Sequence, residues 1–336
     1  MFETLGICLA LAALLTLNAF TSLLTSALWR AFRERAERWP AAARARLLFA
    51  LRVFPAMIAV VCVGALILPA YIAHEPRREV EPVSLKLAVL AAVSAAGLLL
   101  AFWRGVAAWI ATRRLINDWL GGAEPIQAEW LDQIPIPAYR LRHPFPIIAI
   151  AGVIHPKLFI ADHLFQSLTR EELTAAIAHE RGHLAARDNL KRALLRVCRD
   201  TLAIAPSGER LDRAWAEASE AAADEHAAGS GPAVALDLAS ALVKIARLVP
   251  EGVKPVMPAG ALLIGDDAGG IARRVRRLTQ LATFDSAAPG QQKFGSRAWL
   301  WACFAAILTS AILMAANPSM LLAIHNVIEI AVSKLQ

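Results

Sequence analysis

The stretch that decides the fold is Ala178-His179-Glu180-Arg181-Gly182-His183. On an α-helix, residues four apart lie one turn above each other, so His179 and His183 can bind a single metal ion. Glu180 lies about 100° around the helix axis from His179, close enough to reach a water on that ion without displacing it. The pattern therefore predicts two metal ligands and one general base on a single helix.

The residues before this motif predict the helix that carries it. Thr169 and Glu172 have the spacing of a capping box, in which each side chain accepts a hydrogen bond from the backbone amide of the other residue. Apolar residues then recur at helical spacing, and no proline interrupts residues 169–190. We therefore expect one continuous helix over this range. The competing interpretation is an exposed helix whose His and Glu side chains face solvent.

A second predicted helix, residues 211–228, offers the missing ligand. A hydrolytic zinc site usually has three protein ligands and one open position for water. Glu220 and Asp224 share a face of this helix, so Glu220 is a candidate ligand and Asp224 a candidate hydrogen-bond partner of a ligand histidine. Glu217 and His226 are competing ligands on the same helix. A solvated acidic face is the alternative for all of these carboxylates.

Several stretches around these residues resemble the BlaR/MecR-type membrane metallopeptidases, whose relatives include the HtpX-type and CAAX prenyl proteases. They are GVIHPKLFI (152–160), LTREEL (168–173), AHERGH (178–183) and RDN (187–189). Ala223 stands where the resembled motif has a cysteine before its Asp-Glu pair. The resemblance covers residues 146–228 and implies a gluzincin, a zinc endopeptidase with one catalytic Zn²⁺.

Two or three short strands are predicted at residues 134–142 and 146–153, where β-branched and apolar residues are punctuated by prolines. Pro144 and Pro146 favour an edge strand over a central one. In peptidases of the resembled type, such a strand lies beside the active-site helix and pairs with the substrate backbone. The candidate substrate-binding residues are Ile147, Ile148, Ala149, Ile150 and Ala151.

Attack on a peptide carbonyl also requires a group that stabilises the oxyanion. His226 and Tyr139 are the candidates, and the sequence does not choose between them. A buried structural histidine is the alternative for His226. The four cysteines lack the short spacing of paired zinc ligands, so we expect none of them to bind the metal.

The composition indicates a membrane protein. Of 336 residues, 57% are hydrophobic and 19% are charged, with a mean hydropathy of +0.49. Residues 4–28, 53–73, 87–103 and 298–316 are apolar runs that can cross about 30 Å of hydrocarbon. A cleavable signal peptide is the alternative for the first run, although no basic region precedes it. Beyond Pro318 we expect an interfacial amphipathic helix or an extension of the fourth span.

Basic residues predict the orientation of these spans. Seven arginines lie between the first two runs, at residues 30–52, whereas the next loop, residues 75–81, mixes both signs of charge. The positive-inside rule places the first loop in the cytoplasm. The metal motif is then cytoplasmic and both termini lie outside. This topology explains the net charge of +7 better than nucleic-acid binding does.

These observations predict a mainly α, polytopic protein of the plasma (inner) membrane, with about four transmembrane helices and a cytoplasmic α+β zincin-like metallopeptidase domain with a small sheet. The predicted divisions are residues 1–112, 113–297 and 298–336. With the resemblance, they imply a zinc endopeptidase that cleaves a cytoplasmic or membrane-proximal protein in regulated proteolysis or signal transduction. Membrane-protein quality control and a non-catalytic zinc-binding transducer are the alternatives.

The expected partners are a protein or peptide substrate and the lipid bilayer. The resembled sensors carry an extracellular ligand-binding domain after their fourth span, and we expect none here. A separate sensor subunit or a housekeeping role would then substitute for that domain, and a homo-oligomer is an alternative partner. No direct nucleic-acid binding is expected.

Overall fold

The computed structural model describes residues 2–76, 83–127, 135–200, 207–249, 268–283 and 297–335. Within these residues the chain is mostly helical with one small sheet, which confirms the predicted fold class. The helices are α1 (Phe2–Ala36), α2 (Ala41–Cys62), α3 (Leu68–His74), α4 (Leu85–Gly121), α5 (Leu164–Ser167), α6 (Arg170–Ala186), α7 (Asp188–Asp200), α8 (Ser207–Ala228), α9 (Pro232–Leu248), α10 (Ala268–Thr283), α11 (Arg297–Ala315) and α12 (Pro318–Leu335). The strands are β1 (Ala123–Pro125), β2 (Ala138–Leu141), β3 (Ile148–Ala151) and β4 (Lys157–Ala161).

Three of the described helical segments are long and apolar enough to cross a membrane: α1, α4 and the continuous segment Ala41–His74. The last joins α2 to α3 through a π-helical stretch, Val63–Ile67. Large apolar side chains point outward from α1 and α4; Phe20 and Phe102 are 66% and 72% exposed. Such a surface suits lipid rather than water. Three of the predicted spans are thereby confirmed by length and composition, and α4 continues well past the boundary predicted at residue 112.

The fourth predicted span, residues 298–316, corresponds to α11, and a sharp bend separates it from α12. The segments Phe304–Ala315 and Pro318–Lys334 meet at 92°. Only together are they long and apolar enough to count as one membrane span, which is then a broken one. Asn317 caps α12, because its Oδ1 accepts a hydrogen bond from the Ser319 amide at 3.0 Å. α12 then packs across α3, and its Ile328 lies in an apolar cluster with Tyr71 and residues of α1.

The sheet has the order β1-β2-β4-β3, with β2 and β4 parallel and the other pairs antiparallel. The predicted strands correspond to β2 and β3, whereas β1 and β4 were not predicted; residues 128–134 lie outside the described residues. β3 lies at the sheet edge. The carbonyl of Ile147 accepts a hydrogen bond from the Ala161 amide at 2.8 Å. Because the backbone groups of successive residues in an antiparallel strand point alternately toward and away from the partner strand, those of Ile148 and Ile150 point away from β4.

α6 begins with the predicted capping box. Thr169 Oγ1 accepts a bond from the Glu172 amide at 3.2 Å, and Glu172 Oε2 accepts one from the Thr169 amide at 2.8 Å. Both histidines lie on this one helix, as predicted, but the helix ends at Ala186 instead of continuing to Leu190. Arg187 adopts a left-handed conformation, φ 56° and ψ 42°, which ends α6 and lets α7 begin at Asp188.

Helices α6 to α10 are attached to one end of the membrane helices. Glu225 on α8 accepts a hydrogen bond at 3.0 Å from the amide of Ala41, the first residue of α2. Arg52 on α2 donates to Asp212 on α8, also at 3.0 Å. The charged loop residues 77–82, part of the basis for the predicted topology, lie outside the described residues.

Candidate metal centre

Three side chains from two helices converge in the interior. His179 and His183 lie one turn apart on α6, and their Nε2 atoms are 3.2 Å apart. Glu220 on α8 places Oε2 3.5 Å from His179 Nε2 and Oε1 3.4 Å from His183 Nε2. One ligand atom from each residue lies within 4.8 Å of the other two. We call these three residues the central cluster; the competing ligand Glu217 is exposed on the same helix.

Gly182 explains why α8 approaches α6 so closely. A Cβ atom added at Gly182 would lie 3.0 Å from Cα of Ala223 and 3.2 Å from Cβ of His226. Contacts that short require one helix to shift, so only glycine permits the observed spacing. This close packing brings Glu220, one turn before Ala223, to the histidine pair.

A carboxylate holds the outer nitrogen of each histidine. His179 Nδ1 lies 2.9 Å from Asp224 Oδ1, and His183 Nδ1 lies 2.8 Å from Asp188 Oδ2. Burial raises the pKa of Asp188, but the His183 hydrogen bond and the Lys191 charge outweigh it and lower that pKa to about 2. Burial likewise raises the pKa of Asp224, and Arg274 lowers it below its ordinary value. Both carboxyl groups are therefore ionised and accept hydrogen bonds from the imidazoles.

This arrangement fits a metal cation. Because ionised Asp224 and Asp188 only accept, each neutral imidazole carries its proton on Nδ1 and turns an Nε2 lone pair toward the other ring. Two lone pairs and the Glu220 carboxylate then face one another and repel unless a positive charge lies among them. Burial lowers the pKa of His183, yet the Glu220 charge and the Asp188 hydrogen bond raise it to about 10, so without a metal ion a second proton on His183 supplies that positive charge. The donor set, two imidazoles and one carboxylate, is the one that hydrolytic metal sites use.

Two arginines also contact the carboxylate of Glu220, and the sequence did not indicate either of them as a site residue. Arg192 Nη2 donates to Glu220 Oε1 at 3.1 Å, and Arg274 Nη1 lies 3.2 Å from Glu220 Oε2. Arg274 also donates two hydrogen bonds to Asp224, at 2.9 and 2.7 Å. Although an arginine-rich helix usually faces solvent, Arg274 is 7% exposed. Its position four residues before buried Leu278, on the apolar face of α10, is the signal that could have identified it.

Glu180 borders the same site. Its Oε2 accepts a hydrogen bond from the amide of Ile150 on β3 at 3.1 Å. Burial raises the pKa of Glu180 above its ordinary value, against the lowering effect of His183 and His179. A cleft of about 330 Å³ opens beside Glu180 and His183, and Arg192 also lines it.

A turn after α6 completes the wall of this cleft. The left-handed Arg187 turns the chain so that Asp188 reaches back to His183 and Asn189 reaches β3. Asn189 Nδ2 donates to the carbonyls of Ile150 and Gly152, at 2.8 and 3.1 Å. The outer edge of β3 is therefore in contact with the side chains that form the site.

The two oxyanion candidates lie elsewhere. Tyr139 is on β2, separated from β3 by β4, and its ring stacks on Phe159 with centroids 5.6 Å apart. His226 is exposed on α8 beside Gly182. Among the described residues that line the cleft, neither is present.

Comparison with known proteins shows which protein family the central segment resembles. No match was found among curated proteins. Residues 149–223 match the model of Peptidase family M48. The match begins in β3 and ends in α8, so it includes the central cluster and Glu180. The protein thus carries a Peptidase family M48 domain, of the zincin-like metallopeptidase type, beside three helices able to span a membrane.

Proposed function

We propose that this protein is a membrane-anchored zinc endopeptidase in which His179, His183 and Glu220 hold the metal and Glu180 is the general base. The observation that carries the proposal is the convergence of these three ligands within 4.8 Å, next to a carboxylate that is not itself a ligand. A structural zinc site closes all four positions with protein ligands and has no use for an adjacent base.

The proton transfers follow from the position of Glu180. Zinc bound there supplies Lewis acidity, which acidifies water and polarises a peptide carbonyl. Because Glu180 Oε2 accepts the Ile150 amide, Oε1 is the atom that takes the proton from the attacking water. Glu180 then delivers that proton to the leaving amine as the peptide C–N bond breaks. The raised pKa of Glu180 suits a group that must both accept and release a proton.

Arg192 is the better candidate for stabilising the oxyanion. It lines the cleft with Glu180 and His183, whereas His226 and Tyr139 do not line it. Its hydrogen bond to Glu220 fixes the guanidinium beside the central cluster before any substrate binds. A fixed positive charge of this kind stabilises developing negative charge without reorganisation during the reaction.

The substrate backbone pairs with β3. This strand is at the sheet edge, and the backbone groups of Ile148 and Ile150 point away from β4 toward the cleft side. Glu180 and Asn189 bind the outward groups of Ile150, so an extended peptide would pair with the outward groups of Ile148 and continue toward the general base. Main-chain pairing of this type accepts many sequences, which suits a protease with varied protein substrates.

The peptidase domain faces the cytoplasm in this proposal, and both termini face the opposite side. The arginines at the end of α1 and the beginning of the Ala41–His74 segment lie at the membrane end to which α8 is attached, which agrees with the positive-inside rule. The substrate is then a cytoplasmic or membrane-proximal protein. Its cleavage serves a signalling circuit, in which a separate sensor subunit or a second copy of the chain supplies the signal.

The decisive experiment compares the detergent-purified protein with its Glu180→Gln variant on a peptide library. We expect equal zinc content and a loss of cleavage of about 10²- to 10⁴-fold, the usual contribution of general acid–base catalysis. The exposed Glu209 on α8 offers a control, since Glu209→Gln should leave cleavage unchanged. Undiminished cleavage by Glu180→Gln would exclude Glu180 as the base. Absence of cleavage by the wild-type protein across the library would favour a non-catalytic transducer.

A further inference from the structure

A second group of metal-binding side chains lies far from the central cluster. Glu75, His325 and Glu329 each offer one ligand atom, and these atoms lie within 4.8 Å of one another. Glu75 directly follows α3, whereas His325 and Glu329 are four residues apart on α12 and so share one helix face. We call these three residues the distal cluster. Residues more than 240 positions apart in the sequence therefore meet at one point.

His74 adds a second imidazole at the same place. Its ring stacks on that of His325, with centroids 5.8 Å apart and an interplanar angle of 27°. His74 Nδ1 lies 3.3 Å from the carbonyl oxygen of Ala70. Because a carbonyl only accepts hydrogen bonds, Nδ1 of His74 donates in this contact, which fixes the orientation of the ring beside His325.

His325 gives the observation that points to a ligand. Its Nδ1 atom is buried and forms no hydrogen bond within the described part of the chain. A buried polar nitrogen without a partner is costly, and native structures usually satisfy such an atom with water or an ion. Two carboxylates stand beside this imidazole, so the local charge favours a cation.

The distal cluster is spatially independent of the central one. α8 contacts the first residue of α2, Ala41, whereas the distal cluster lies beyond the last residue of α3, His74. The Ala41–His74 segment is 34 residues long, which separates its ends by about 50 Å at the helical rise. The apolar cluster formed by Tyr71 and Ile328 holds α12 against α3 and fixes the distance between the ligands.

We propose that Glu75, His325 and Glu329 form a second site for a divalent transition-metal ion of the zinc type, with the ring of His74 stacked on that of His325. Imidazole and carboxylate together suit zinc-like ions, whereas Mg²⁺ and Ca²⁺ prefer oxygen ligands alone. The bound ion fastens α12 to the end of α3, on the opposite side of the candidate membrane spans from the peptidase domain. The site does not depend on the proposed protease activity.

Zinc stoichiometry of the full chain in detergent tests this proposal. After loading with Zn²⁺ and dialysis, we expect two ions per wild-type chain, one in His325→Ala/Glu329→Gln, one in His183→Ala, and none when all three changes are combined. His155, which is exposed and outside both clusters, provides the control; His155→Ala should retain two ions. Helix content by circular dichroism is measured on every variant, so that unfolding is recognised.

Co²⁺ gives a second readout that does not depend on stoichiometry. In the His183→Ala background, the visible absorption of bound Co²⁺ should persist and should disappear when His325→Ala is added. Glu329→Gln alone should weaken Zn²⁺ binding in that background by more than about 100-fold, since loss of even an outer partner of a ligand costs up to that factor.

The outcomes separate the two metal proposals. Absence of any ion in folded His183→Ala, or two ions in folded His325→Ala/Glu329→Gln, overturns the distal site. Two ions in His183→Ala, with one lost on adding the distal changes, supports the distal site and instead contradicts the ligand set proposed for the central cluster.

Discussion

The central and distal clusters offer a metal similar ligands but differ in what surrounds those ligands. In the central cluster an ionised carboxylate holds each histidine, and two arginines bind the carboxylate ligand. In the distal cluster Nδ1 of His325 has no hydrogen-bond partner in the described part of the chain, and the neighbouring His74 meets only a backbone carbonyl through its Nδ1. Ligand type alone therefore predicts metal binding. The surrounding charges, Glu180 and the cleft distinguish the central cluster, where we propose a reaction, from the distal cluster, where we propose metal binding alone.

After the loss of Glu180, the largest effect should come from Arg192, which lines the cleft beside the central cluster and has no counterpart in the distal ligand set. We expect Arg192→Gln to lower kcat by about 10²- to 10³-fold, the usual cost of losing one oxyanion donor. Steady-state kinetics should show the change mainly in kcat. Arg192→Lys should recover part of it because the positive charge is kept.

Zinc content distinguishes stabilisation of the oxyanion by Arg192 from a role in which Arg192 only holds Glu220 in position. If Arg192 stabilises the oxyanion, Arg192→Gln retains zinc at the central cluster. A parallel loss of zinc and activity would mean that Arg192 acts by holding Glu220, to which it donates a hydrogen bond.

The next largest effect should come from removing the charge of a carboxylate that holds a ligand histidine, a feature that distinguishes the central cluster from the distal one. Asp224→Asn removes the charge that accepts the His179 Nδ1 proton and binds Arg274. We expect zinc affinity at the central cluster to fall by about 10- to 100-fold, with distal affinity unchanged. Competition with a chelator measures both sites. Equal weakening of the two sites would indicate a general change in the fold.

A smaller effect is expected from the helix caps, which also differ between the clusters. Buried Glu172 caps α6 and binds Ser240 and Lys244 of α9, at 2.6 and 2.8 Å. Glu172→Gln should lower the free energy of unfolding by about 1–3 kcal/mol, because it weakens a buried charged hydrogen-bond network. Asn317 caps α12 in an exposed position, and Asn317→Ala should cost about 1 kcal/mol. Thermal unfolding in detergent measures both.

The same carboxylate predicts a pH dependence. Burial raises the pKa of Glu172, but the bonds from Lys244, Ser240 and Thr169 outweigh it, so the folded pKa lies below the ordinary value of 4.5. Its stabilisation is therefore fully present above pH 4.5 and is lost as the pH falls through the folded pKa. The difference in melting temperature between wild type and Glu172→Gln should shrink over that acid range. A constant difference would contradict this linkage.

The smallest effect tests substrate pairing at the edge of β3, which we propose for the central cluster and not for the distal one. Ile148→Pro removes an amide that points away from β4, so the pairing of β3 with β4 should survive. Loss of one substrate hydrogen bond should lower kcat/KM by about 3- to 10-fold, equivalent to about 0.5–1.5 kcal/mol. Ile148→Ala keeps the amide and is the matched control. If both variants lose activity equally, the side chain rather than the backbone is responsible.

Local patterns allowed much of the fold to be predicted. The capping box at Thr169, the helical spacing of His179 and His183, and three apolar spans all reflect contacts within a few residues or the length of one segment. The predicted helix failed beyond Ala186, because a non-glycine residue in the left-handed conformation carries no reliable sequence signal. β4 was missed since its buried pattern lacks the polar alternation of a half-exposed strand.

The sequence by itself determined the candidate groups of this protein: a histidine pair and a carboxylate on one helix, a second acidic helix, and segments long and apolar enough to cross a membrane. Tertiary structure alone decided which charges support that chemistry. Arg274 reaches Asp224 from α10, Asp188 reaches His183 through the turn at Arg187, and Glu75 meets α12 from the far end of the chain. Helix periodicity and capping are local, whereas a buried ion pair or a shared ligand site depends on which distant segments the fold packs together.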